Sequence, residues 1–176
     1  LVLDFIKNQA TNDTMNMMIY AIKDRRTALA KQVRGTISIG DKVIAILFRD
    51  ADGTASAGRG HWQDKVDSME NGFAEQSYYD LGVPMIPLPK SEAWLLCALK
   101  NNPYQSCNNL EHESGNDKAP NSLKDQLDSA LNGESSVAKH VELIQSGNID
   151  VNQIDMDSFN YFKGKLESAV QIAGQN

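Results

Sequence analysis

Val43–Phe48 reads Val-Ile-Ala-Ile-Leu-Phe, six apolar residues without a break. A run this short and this rich in β-formers predicts a strand covered on both faces, as at the centre of a parallel sheet. Asp50, Asp52 and Gly53 follow at once. In an open α/β sheet, ligands bind outside the carboxyl ends of the strands, so this order places two carboxylates where a ligand would sit. Hard cations such as Mg²⁺ or Mn²⁺ take oxygen ligands, commonly one or two carboxylates completed by water and substrate phosphate. Asp-Gly is also a standard turn pair. The segment therefore has two readings, a metal-binding edge and an ordinary turn.

The rest of the composition narrows the class. A chain of 176 residues suits one domain, or one domain with a helical appendage, and a 41% apolar content is enough to build a core. No run of roughly 18 apolar residues suggests a membrane span, so no membrane partner is expected. The net charge of −6 argues against a surface that coats nucleic acid at large, and leaves room for a local basic channel or a metal-bridged phosphate. Cys97 and Cys107 have no metal-ligand spacing around them and read as reduced thiols of a cytoplasmic protein. The chain begins at Leu1 rather than Met and shows no signal peptide, which leaves an upstream segment open.

Residues 1–10 read as the tail of a helix. Thr11-Asn12-Asp13 can cap a second one, in which Met15, Met18, Ile19 and Ile22 follow helical spacing, continuing through Leu29 and Val33 to Gly35. Lys23, Arg25, Arg26, Lys31 and Arg34 make its outer face basic, a solvated face or a phosphate-contacting one. Residues 54–60 are small and flexible in composition. Residues 61–73 return to helical spacing with Trp62, Val66, Met69 and Phe73. Residues 82–88 predict a second, poorer strand, because Pro84, Pro87 and Pro89 deny it ladder bonds. Ser91 can cap the next helix, with Glu92 in its first turn and Trp94, Leu95, Ala98 and Leu99 packing. Residues 101–120 are polar and irregular. Pro120-Asn121-Ser122 opens a helix with Leu123, Leu127, Ala130 and Leu131 inward, and residues 137–144 form a short one. Asp155 or Asp157 caps the last, with Phe159, Phe162, Leu166 and Val170 buried. The expected architecture is α/β over residues 1–100, a small and mostly parallel sheet flanked by helices. Residues 101–176 form a mainly helical extension packed on it.

Asp50-Ala51-Asp52-Gly53-Thr54 after an apolar strand resembles the opening motif of haloacid-dehalogenase phosphatases. That resemblance implies Asp50 as a covalent nucleophile and Lys90 as the later lysine; no paired aspartates on a later strand complete it, since Asp155 and Asp157 precede a helix and Gly115-Asn116-Asp117 lies in a loop. A second resemblance covers about 100 residues. The strand ending in Asp50 and Asp52, the stretch Gly82-Val-Pro-Met-Ile-Pro-Leu-Pro-Lys-Ser-Glu-Ala-Trp-Leu-Leu, and residues 159–166 are similar to TOPRIM-like families, among them OLD-type nucleases and RloB-like bacterial defence proteins. The resemblance implies a TOPRIM-like sheet, Mg²⁺ or Mn²⁺ as cofactor and phosphodiester chemistry on nucleic acid, in a phage-defence setting. The strand ending in Glu-Gly that opens those folds is absent here, so it and its general acid/base Glu are expected upstream of Leu1.

The candidate site is then Asp50 and Asp52 as metal ligands, Glu92 as a third acid or a helix-dipole residue, and Arg49 and Lys90 as phosphate contacts or surface cations. His61 and Trp62 are placed above it, Trp62 more as core than as a base-stacking platform. Glu111-His112-Glu113 has metal-like residue types, but neighbours in sequence do not face together on a helix, and a solvated loop is the expectation. Three functions stay open: a metal-dependent nuclease-type protein, a dehalogenase-like phosphatase, and a non-catalytic subunit that binds a protein partner.

Overall fold

The computed structural model describes residues 18–23, 43–51, 61–75 and 80–174, with the backbone course alone for 18–23. Among the described residues, three parallel strands form a sheet: β1 (Met18–Lys23), β2 (Val43–Phe48) and β3 (Gly82–Met85), in the order β1-β2-β3. The apolar run is thus the middle strand, as its two-sided hydrophobicity demands. Successive side chains of a strand point to opposite faces. Ile44 and Ile46 enter the larger core cluster, and Ala45 joins the smaller one with Leu47 packed against it.

β1 corrects one expectation. A helix was predicted through Met15, Met18, Ile19 and Ile22, and the chain instead runs as a strand paired with β2 from Met18↔Val43 to Lys23↔Phe48. A short apolar stretch fits both periods, and pairing with a buried strand decides between them. A strand before β2 therefore lies within the chain. The expected helix tail over residues 1–10 and the basic helical face through Arg34 fall outside the described residues.

On one face lies α1 (Trp62–Glu75), whose Val66, Met69 and Phe73 form the buried stripe expected from the sequence, together with Lys65. Phe73 packs straight onto β3, and a Cβ on Gly82 would run into its ring. On the other face lie α2 (Ser91–Leu99), α3 (Leu123–Ala130) and α5 (Asp157–Gly174), with α4 (Val137–Gln145) contributing Leu143. α2 is buried over most of its circumference through Ala93, Trp94, Leu96, Cys97 and Ala98. Trp94 meets the ring of Phe159 edge-on at 5.0 Å and lies roughly parallel to that of Phe162 at 5.8 Å, which fixes α5 against α2. The chain is thus a mixed α/β fold with a helical C-terminal part, and β2, β3 and the C-terminal helices share the larger core cluster.

Local chemistry sets the helix starts. Ser122 caps α3 in a reciprocal box: Asp125 N–H donates to Ser122 Oγ and Ser122 N–H donates to Asp125 Oδ2, both at 3.2 Å. Ala130, expected inward, is exposed at the end of that helix, while Leu131 is buried. Ser91 does not cap α2; it is the first helical residue, and Lys90 precedes it in extended conformation without a side-chain cap bond. Between α2 and α3 the polar stretch is built rather than idle. Cys107–His112 forms a 3₁₀ turn, and Cys97 and Cys107 are joined in a disulfide across ten residues. The reduced thiols expected from the sequence are therefore wrong. The chain folds back after α2 and brings the two Cα atoms to 5.2 Å, within bridging reach. The cytoplasmic expectation rested on those thiols and loses that support. No helix among the described residues is long and apolar enough to cross a membrane.

Candidate functional site at the carboxyl edge of the sheet

The backbone ladder continues beyond β2. Arg49 N–H donates to Met85 O at 3.0 Å and Ala51 N–H to Pro87 O at 2.9 Å, so Asp50 sits between two pinned residues. Alternation then sends the Asp50 side chain to the face opposite Ala51, which is buried against α1. Asp50 turns toward α2, where its Oδ1 accepts the Ser91 N–H at 2.9 Å. A carboxylate there satisfies an orphan donor of the first helical turn and complements the positive end of the helix dipole. Asp50 is half-buried and Arg49 exposed. Asp52, the second expected metal ligand, lies outside the described residues.

Glu92 stands next to Ser91 in the first turn of α2, half-buried, with Ser91 Oγ donating to its Oε2 at 3.4 Å. The structure therefore gathers Asp50, Ser91 and Glu92 at one helix start. Lys90 is adjacent in the chain and only 6% exposed. Its Nζ donates to Gly115 O at 3.4 Å and to Asp117 Oδ1 in an ion pair, so it is turned to the loop that follows the 3₁₀ turn. The Lys90 ammonium holds the Asp117 carboxyl below its ordinary range, with Lys124 adding a weaker pull. Trp62 reaches the same edge from α1: its Nε1 donates to Ile86 O at 2.8 Å and its ring meets Tyr161 edge-on at 5.3 Å. His61 is exposed.

Sequence reasoning missed a second polar centre. Glu111, expected in a solvated loop, is 8% exposed. Its Oε1 accepts both the Ser158 N–H at 2.8 Å and the Ser158 hydroxyl at 2.5 Å. Ser158 Oγ in turn accepts Trp94 Nε1–H at 2.9 Å and Leu88 N–H at 3.3 Å. Burial pushes the Glu111 carboxyl above its ordinary value, against the Ser158 hydrogen bonds, which favour the charged form. This cluster ties the β3–α2 connector, α2, the 3₁₀ turn and α5 together just behind the Asp50 edge. On the opposite side Glu70 Oε1 accepts Tyr161 Oη–H and pairs with Lys165, both at 2.5 Å, joining α1 to α5.

Among the described residues, no group of three or more His, Cys, Asp or Glu side chains is arranged to hold a metal ion. Of the expected metal ligands, the described residues place Asp50 alone at this edge, a hard oxygen donor of the kind Mg²⁺ takes. No protein-family model, curated protein sequence or solved structure matches this chain.

Proposed function

We propose that this chain is a TOPRIM-like, divalent-metal-dependent domain that processes nucleic-acid phosphodiesters. One observation carries the reading: Asp50 stands at the carboxyl end of the middle strand of a parallel sheet, fixed by ladder bonds on either side and turned to a helix start. That is the crevice where open α/β sheets take ligands. Asp50 and Asp52 hold Mg²⁺ or Mn²⁺, Glu92 is the third acid at the edge, and Arg49 and Lys90 supply positive charge for phosphate. A metal bound there neutralises phosphate charge and lowers the pKa of a bound water. The strand β1 supports the strand order of the family reading, a parallel strand before the one that ends in the two aspartates, although it reads Met-Ile-Tyr-Ala-Ile-Lys and carries no Glu-Gly.

The experiment offers the protein two substrates with Mg²⁺ or Mn²⁺, supercoiled plasmid and p-nitrophenyl phosphate. The expected result is no monoester hydrolysis, with Mn²⁺-dependent nicking, lost in Asp50→Asn, appearing only where the family's general acid/base Glu is supplied with the chain. Monoester turnover lost in Asp50→Asn, with trapping by beryllofluoride, would replace this reading by the dehalogenase-like phosphatase, which needs Asp50 as covalent nucleophile. Inertness on both substrates with that Glu supplied would leave a subunit that binds a partner without catalysis.

A further inference from the structure

We propose that Asp117 is an internal competitor for the phosphate seat on Lys90, so that loop 114–118 occupies that ammonium until a phosphate displaces the carboxylate. The inference rests on the reading of Lys90 as a phosphate contact and adds how access to it is controlled.

The starting point is an asymmetry within one ion pair. Lys90 is 7% exposed at its side chain and Asp117 57%. A buried ammonium without a counter-charge is costly, so some anion must face it in every stable state. The burial of Lys90 thus belongs to the fold, whereas Asp117 is brought to it from the solvent side. Lys90 immediately precedes Ser91, whose N–H binds Asp50, so its backbone adjoins the proposed metal edge while its ammonium faces loop 114–118. Lys124 also acts on the Asp117 carboxylate. A phosphate oxygen in that position would face the same two cations as the carboxylate it replaces.

The loop is built to leave as a unit. Lys118 N–H donates to Asn116 Oδ1 and Ala119 N–H to Asn116 O, both at 3.0 Å, and Asn116 N–H donates to Ser114 Oγ at 3.2 Å. These bonds hold its shape from within. Lys90 Nζ makes the contacts across to the sheet side, to Gly115 O and Asp117. A phosphate carries more negative charge than a carboxylate and accepts more hydrogen bonds, so it can exchange with Asp117 on the same ammonium. The exchange breaks no covalent bond.

Calorimetric titration of the whole chain with inorganic phosphate, free of divalent ions, tests this. Asp117→Asn should bind phosphate at least about tenfold more tightly than the wild type. The double variant Asp117→Asn/Lys90→Gln should lose that gain. Equal affinity in Asp117→Asn and wild type, or a gain that survives Lys90→Gln, overturns the proposal. Should Asp117→Asn prove less stable, thermal melts with and without phosphate decide: phosphate must raise its Tm more than that of the wild type, and equal shifts overturn the proposal. Asp50 is untouched and no metal is present, so a negative result here leaves the metal reading to its own test.

Discussion

Asp50 and Glu111 each accept a main-chain N–H from the first turn of a helix, Ser91 of α2 in one case and Ser158 of α5 in the other. Asp50 does so half-buried at the rim of the sheet, with exposed Arg49 before it. Glu111 does so deep in the chain, where Ser158 bridges it to Trp94 and Leu88. The local motif is the same, and the surroundings assign the roles. A carboxylate at the rim keeps access to solvent and can serve a cation. A carboxylate closed in by a hydroxyl, an indole and two helices serves as a rivet. Residue type alone does not distinguish them.

Truncation should break the comparison most strongly on the buried side. Glu111→Ala leaves the Ser158 hydroxyl and N–H without their acceptor, and should cost about 3 kcal/mol in urea unfolding. Removing the crosslink behind it, as Cys97→Ser with Cys107→Ser, should cost about 2–3 kcal/mol, the loop-closure value for a ring of this size. Asp50→Ala should cost only about 1 kcal/mol, the usual loss for a helix-start acceptor. An Asp50→Ala penalty as large as that of Glu111→Ala would make Asp50 a rivet as well and remove its claim to a functional role.

Protonation sharpens the contrast with smaller effects. The Glu111 carboxyl lies above its ordinary 4.5 because burial outweighs the hydrogen bonds from Ser158. The folded state then holds that proton more tightly than the unfolded one. Its ionisation therefore lowers stability as pH rises from about 4.5 through the folded value. Glu70 runs the other way: burial raises it, but hydrogen bonds from Lys165 and Tyr161 prevail and keep it below 4.5. Its contribution is fully present above the unfolded value and is lost as pH falls through the folded one. The penalty of Glu111→Gln against wild type should thus shrink as pH climbs above 4.5, and that of Glu70→Gln should shrink as pH drops below it. Stability curves for the three proteins between acid and neutral pH check both signs.

What the sequence made legible follows physical range. β2 and the stripes of α1 and α5 are set by short-range periodicity, and they appear where that periodicity placed them. The start of α3 was equally readable, because a cap works within three residues. β1 was not, since five apolar residues before Lys23 suit either period and only pairing with β2 settles the matter. The disulfide and the burial of Glu111 depend on contacts across 10 and 47 residues, which no local pattern encodes. At the site, the run of residues after β2 pointed to Asp50, and Ser91-Glu92 fell beside it. The bond from Asp50 to Ser91, across 41 residues, and the turn of Lys90 toward Asp117, across 27, came only from the fold.

The central claim is that the rim carboxylates hold a divalent cation, and calorimetric titration of Mn²⁺ into the wild type and into Asp50→Asn/Asp52→Asn addresses it most directly. Weak but saturable binding is predicted in the wild type, because two carboxylates form an incomplete shell. The variant should show no such binding while its melting temperature stays within a few degrees, the shift expected for about 1 kcal/mol. Indistinguishable heats from two equally folded proteins would contradict the account.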